Sequence, residues 1–412
     1  MGKIDRIKTI NNLLEKVELA FLSISILLIP NYGKLIPAFM VLWFVFSLVN
    51  FIKSDKKTVE KPNKYVFFGL LLFPIFYFVH ILGLIYTENI DFALFDLEVK
   101  ISFILIPLIV YLRYGFIKKH IIFILEVFVL GVTISFIYKI IIATNNYFIS
   151  GGETKYFYYT YLSKTHPTYI SMYATLAFFI IAELFNKMSK LKKYIYSVNL
   201  IILIVYILLL ISKGVIIAFL ICLFVYLFIK LIPKIGLLKL ILLLLIIFST
   251  ILYSMYKMPL IHTRFYALKF ALSKKDLKHV DIYESTGTRM FLFSAGINVI
   301  KDTFPFGTGT GDIKDELNKE LYKLVNIPGF DKTYNAHNQF FQSLIALGLL
   351  GLISLMLIFV YGFYFSIKYK DYIFLMFLGM LFLVFLTESI IEVQGGTIYC
   401  SLFYSLLFLR KV

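Results

Sequence analysis

The sequence predicts an all-α, polytopic membrane fold: about twelve transmembrane helices and a large extracytoplasmic loop carrying short amphipathic helices. Three observations predict it. The 412 residues are 60% hydrophobic and only 16% charged, with a mean hydropathy of +0.87, whereas a soluble domain carries about a quarter charged residues. Apolar runs of spanning length recur along the chain, and the segments between them alternate in charge. Despite the net charge of +17, this balance excludes a soluble enzyme, a disordered scaffold and a nucleic-acid-binding domain.

The apolar runs fall at 17–30, 35–52, 65–85, 99–112, 121–143, 168–185, 194–212, 214–229, 237–256, 338–366, 372–390 and 397–409. A spanning helix takes roughly 20 apolar residues, so the fourth and twelfth runs are short. Helices are the form these runs take, because an open strand leaves backbone groups unpaired in hydrocarbon. Lys3, Arg6, Lys8 and Lys16 precede the first run, as in a secretory signal. No A-x-A pattern follows and a second run starts at once, so an uncleaved span is expected. Cys222 and Cys400 lie inside apolar runs and act as small hydrophobes. No internal repeat or low-complexity tract is evident.

Charge orients the spans. The N-terminus, the odd-numbered connections and the C-terminus hold 23 of the 41 basic residues, among them Lys53, Lys56, Arg113, Lys118, Lys192, Lys230, Lys368 and Arg410. The opposite short connections carry acids instead: Glu88, Asp91, Asp96 and Glu98 in one, Glu388 and Glu392 near another. By the positive-inside rule both termini are cytoplasmic. One integral membrane domain results, with spans one to nine in 1–256, an outer loop over 257–336 and three spans in 337–412.

The outer loop holds 12 basic and 9 acidic residues, which long translocated loops tolerate. Ile313, Leu317, Leu321 and Leu324 share one helical face. Asp312 is placed to cap that helix, with Asp315 and Glu316 in its first turn. A second helix is expected from near Thr288 to Lys301. The turn Pro305–Asp312 separates the two, and together they are expected to lie over the outer mouth of the bundle.

His337 is the most informative single residue. It precedes span ten in N-A-H-N-Q-F-F-Q, where the positive end of a helix disfavours the protonated ring. A neutral imidazole is what a general base needs to take a proton from a hydroxyl. Asn338 adjoins it. Lys213 in S-K-G, Arg264 after span nine and Arg289 in S-T-G-T-R are cations on the same side, suited to a pyrophosphate. Each alone also fits a solvated or snorkelling cation. Gly307, Gly309 and Gly311 are followed by Asp312 rather than by the Lys of a nucleotide P-loop, so turn chemistry is expected there and no nucleotide. Glu388 and Glu392, one helical turn apart, suit a cation or sugar hydroxyls. His166 and Tyr169 open span six, with Pro167 at the first helical position. No metal motif of the H-E-x-x-H kind is present, and no cofactor is expected. Tyr156, Tyr158, Tyr159 and Tyr161 fit an interfacial belt.

Four motifs in order resemble the O-antigen ligase and polymerase superfamily of bacterial inner-membrane glycan transferases. They are S-K-G at Ser212–Gly214, the run from Thr288 through P-F-G-T-G-T-G-D to Asp312, H-N-Q-F-F-Q-S-L-I-A-L-G-L-L-G-L at His337–Leu352, and T-E-S-I-I-E-V-Q-G-G at Thr387–Gly396. They cover roughly the C-terminal half; the first 160 residues match only in hydropathy. The resemblance implies a metal-independent, inverting transferase with an undecaprenyl-pyrophosphate-linked glycan as donor. The acceptor is lipid A core, another lipid-linked glycan or a protein, and the site faces the periplasm. It implies a catalytic role for His337 and donor-pyrophosphate binding for Arg289. The family usually has Arg where this chain has Lys213, which keeps the charge but loses the bidentate fork. The reading from another class is a transporter or flippase of a lipid-linked or anionic solute. A carrier calls for repeat symmetry and polar groups at the bilayer midplane; the polar candidates here gather at one face.

Overall fold

The structure is a computed structural model that describes residues 3–31, 34–54, 60–162, 166–236, 285–325 and 332–411, with positions 239, 245, 249 and 282 between. The described residues are helical, with no strand among them. In chain order the helices are α1 (Lys3–Leu28), α2 (Ile36–Lys53), α3 (Lys64–Leu82), α4 (Ile90–Lys100), α5 (Ser102–Leu112) and α6 (Tyr114–Ile149). The single turn α7 (Tyr159–Leu162) leads to α8 (Pro167–Leu184), α9 (Lys190–Leu209) and α10 (Lys213–Ile235). Then come α11 (Ser285–Thr303), α12 (Ile313–Val325), α13 (Gln339–Lys368), α14 (Tyr372–Phe385) and α15 (Gln394–Leu407).

Among the described residues, seven helices are long and apolar enough to cross a membrane: α2, α3 with its 3-10 extension, α6, α8, α9, α10 and α13. The other predicted spans differ for identifiable reasons. The first run lies in α1, whose Glu15, Lys16 and Glu18 interrupt its apolar stretch. The fourth run is divided between α4 and α5, which meet at Ile101. The eleventh and twelfth are the 14-residue helices α14 and α15. Of the ninth, only positions 239, 245 and 249 are described. The chain is a multi-pass membrane protein.

Helix α15 is buried along nearly its whole length, as is α8. With hydrocarbon outside and apolar side chains inside, hydroxyls supply directional ties between helices. Thr397 Oγ1 donates to Val99 O (2.8 Å), Ser401 Oγ to Ser102 O (3.0 Å) and Tyr404 OH to Ile358 O (3.0 Å). The outward faces stay apolar: Ile217, Ile221, Phe224 and Phe228 line an exposed face of α10, and Ile353, Leu357, Val360 and Tyr364 one of α13. On a soluble protein such faces would drive aggregation; facing lipid they are solvated.

The two helices expected in the outer loop are α11 and α12. They enclose a second, smaller core in which Phe291, Leu292, Ala295 and Val299 meet Ile313, Leu317 and Leu321. Ile345 and Leu347 of α13 close that core from below. The turn between α11 and α12 is spliced into α13 itself. Gly348 has φ 60° and ψ −148°, so the spanning helix breaks there and the Ile345 and Ala346 carbonyls lose their helical partners. Thr308 N donates to Ile345 O (2.9 Å), Gly309 N to Ala346 O (2.8 Å), and Leu349 N to Pro305 O (2.9 Å). The glycine-rich turn therefore spends its amides on a neighbouring helix rather than on an anion. Asp312 corrects an expectation. Its carboxylate accepts from Glu88 N (2.8 Å) and Asn89 N (2.7 Å) across the bundle, so it ties the loop to the start of α4 instead of capping α12.

Candidate functional site

His337 sits just before α13 with φ 47°, a left-handed backbone that a non-glycine residue adopts at a cost. Asn338 follows as the helix cap: its Oδ1 accepts from Phe341 N (3.0 Å) and its Nδ2 donates to Leu386 O (3.2 Å). Both ends of that amide are thus engaged in holding the backbone on which the imidazole is mounted. Ile211, at the S-K-G turn, has a second left-handed backbone, φ 48°. Two chain reversals of this kind meet at one end of the bundle.

The Glu388 carboxylate joins the pieces. Its Oε2 lies 3.0 Å from His337 Nδ1, and its Oε1 accepts from Arg289 Nη2 at 2.6 Å. Burial alone would raise the pKa of Glu388, but the His337 hydrogen bond and the Arg289 charge outweigh it and hold the carboxyl below its ordinary range. The environment of His337 is therefore set by a carboxylate as well as by the helix terminus that sequence reasoning considered. With the Nδ1 proton directed at Glu388, Nε2 is the basic atom.

The other expected residues are placed as follows. Gly214, next to Lys213, packs so closely on Thr387 that an added Cβ would stand 2.7 Å from its Oγ1. The S-K-G turn thus abuts the residue before Glu388. Ser212 Oγ is 3.1 Å from Thr168 Oγ1 at the head of α8. His166 precedes that helix, with Pro167 at its start, and its ring centroid is 6.2 Å from that of Tyr169. Although His166 is exposed, partial desolvation lowers its pKa; His337 and Arg289 act in the same direction, while Glu388 opposes them. Tyr169 OH donates to Ile390 O (3.3 Å), tying α8 to the 388–392 turn. Arg264 lies outside the described residues.

Beneath this layer is a second one that sequence reasoning missed in part. Lys100, 1% exposed, pairs with Asp96 and reaches Glu392 Oε2 at 3.3 Å. Gln339 Nε2 donates to Glu392 Oε1 (2.8 Å), and its Oε1 accepts from Ile391 N (3.0 Å). The i,i+4 spacing of Asp96 and Lys100 at the head of an apolar run was the available signal, since an ionisable group at membrane depth calls for a partner. This layer anchors the turn bearing Glu388 to the helix start bearing His337. Among the described residues, no group of three or more His, Cys, Asp or Glu could hold a metal ion.

Residues 198–356 match the family described as O-antigen ligase. The matched stretch contains Lys213, Arg289 and His337, and it supports placing the chain in the O-antigen ligase superfamily. No curated protein matches the chain.

Proposed function

Taking the O-antigen ligase superfamily as premise, we propose that this chain is a ligase-type membrane glycosyltransferase. It moves a glycan from an undecaprenyl-pyrophosphate carrier to a hydroxyl of lipid A core. It resides in the bacterial inner membrane with both termini cytoplasmic and the site facing the periplasm. The observation that carries the reading is the shared carboxylate: one oxygen of Glu388 holds His337 and the other holds Arg289. A base for the acceptor and a cation for the donor thus stand on either side of one anchor.

His337 Nε2 takes the proton of the acceptor hydroxyl. The acceptor oxygen attacks the anomeric carbon, the bond from that carbon to the pyrophosphate oxygen breaks, and the configuration inverts. Arg289 and Lys213, with Arg264, meet the negative charge on the departing pyrophosphate. His166 and Tyr169 extend the polar surface at the head of α8. The carrier pyrophosphate is already a good leaving group, so neither a nucleotide nor a metal enters the scheme.

Transfer from a lipid-linked donor by purified chain tests this. His337→Gln is expected to lower the rate about 10²–10⁴-fold; a native rate would refute the assignment. The acceptor is read from the surface glycolipid of a deletion strain. Loss of every capped core identifies a ligase, whereas one repeat left on the core identifies a polymerase. Movement of lipid-linked substrate with no glycosidic bond formed would identify a carrier instead.

A further inference from the structure

We infer that Glu388 is a positioning residue that competes with the donor: it holds Arg289 while the donor site is empty and yields it to the pyrophosphate, so that donor binding turns the charge of Glu388 onto His337. The inference rests on the proposed function and concerns how its two halves communicate.

The geometry supplies the competition. Arg289 pairs with Glu388 Oε1 at 2.6 Å. The Arg289 side chain is nonetheless 38% exposed, against 17% for Glu388, so an incoming anion reaches the guanidinium from its open side. Its Nε, by contrast, is buried and has no hydrogen-bond partner among the described residues. A pyrophosphate carries more charge than one carboxylate and draws the guanidinium toward itself. Glu388 cannot follow, because Oε2 is held at His337 and the 388–392 turn is anchored below by Gln339 and Lys100. As the Arg289 charge is shared with the pyrophosphate, the Glu388 carboxylate becomes less compensated and acts more strongly on the imidazole. The base is thereby armed when a carrier pyrophosphate is bound. The other groups facing this pair are His166 and Tyr169 from α8 and, beside His337, Tyr334 before α13.

The test is binding of sugar-free polyprenyl pyrophosphate to the full chain in lipid nanodiscs, followed by transfer kinetics. Removing the competing anion should tighten binding, by thermodynamic reciprocity. Glu388→Gln is expected to bind the lipid about tenfold more tightly than the native chain, while its transfer rate at saturating donor falls. In an Arg289→Gln background the same change should give no gain, since there is no guanidinium left to release. The inference is overturned if Glu388→Gln binds no more tightly. It is equally overturned if the gain survives in the Arg289→Gln background, which marks simple repulsion between carboxylate and donor. A native chain that does not distinguish polyprenyl pyrophosphate from polyprenol would overturn the functional reading itself. Glu388→Asp, which keeps the charge on a shorter arm, should bind like the native chain, and equal tightening there would again overturn the inference.

Discussion

Glu18 and Glu388 are both carboxylates clasped by an arginine, yet they sit in opposite kinds of surroundings. Glu18 of α1 is fully buried, and Arg113, 8% exposed, closes over it at 2.9 Å. Ser47 Oγ (3.0 Å) and Asn50 Nδ2 (2.6 Å) of α2 complete the shell. Every neighbour is protein, and the cluster binds α1, α2 and the start of α6 together. Glu388 has the same partner type, but its arginine is open to solvent and its second oxygen supports an imidazole, 28% exposed. The chemistry of the pair is alike in both. What separates a tie from the proposed site is how much of the arginine remains available to something outside the protein.

That contrast predicts different failures. At the open pair, Arg289→Gln should lower transfer about 10²–10³-fold, the scale of losing one donor to a developing oxyanion, while thermal unfolding in detergent stays close to native. At the closed pair, Glu18→Ala leaves the buried Arg113 with only the half-exposed Glu15 at 3.5 Å, which costs about 3–5 kcal/mol of stability. Activity per folded molecule should then be unchanged. If Glu18→Ala lowered specific transfer as steeply as Arg289→Gln does, the distinction between the two clusters would collapse. A smaller effect is expected at the break in α13. Gly348→Ala puts a side chain at φ 60° and ψ −148°, a region essentially confined to glycine that costs about 1–3 kcal/mol, and the added methyl also pushes the Pro305–Phe306 backbone away; unfolding temperature and transfer should both fall. The smallest concerns acid. The pKa of Glu388 is held below its ordinary value of 4.5, so its contribution to stability is present above that pH and is lost as pH falls through the depressed value. Unfolding followed from pH 6 to pH 3 should show a shallower acid limb in Glu388→Gln than in the native chain.

Much of this was legible in the chain. Hydropathy located α2, α6, α8, α9, α10 and α13 to within several residues, because a spanning helix must be apolar over a known length. The periodicity of Ile313, Leu317 and Leu321 located α12 for the same kind of reason. His337, Arg289 and Glu388 were each visible as polar groups at one face. That a single carboxylate holds the other two was not, since residues 289, 337 and 388 meet only through tertiary packing. Nor could the sequence show that Asp312 turns from its own helix to Glu88 and Asn89. A local cap and a distant pair of amides offer a carboxylate the same hydrogen bonds, and only the docking of the loop decides between them. Arg113 read as one more topological cation; its burial against Glu18 depends on how α1, α2 and α6 pack.

The splice at Gly348 carries a last consequence, for how this protein can be taken apart. Ile345 and Ala346 present carbonyls inside the bundle that only Thr308 and Gly309 satisfy, so the helix on one side of the break is finished by backbone from another part of the chain. A bundle expressed without residues 305–311, or cut within them and separated, would leave those carbonyls facing apolar surroundings at a cost of about 1–3 kcal/mol each. The segment carrying α11 and α12 and the membrane helices are therefore not modules that can be exchanged between relatives at will. A chimera has to carry the turn and the helix it completes as one inheritance.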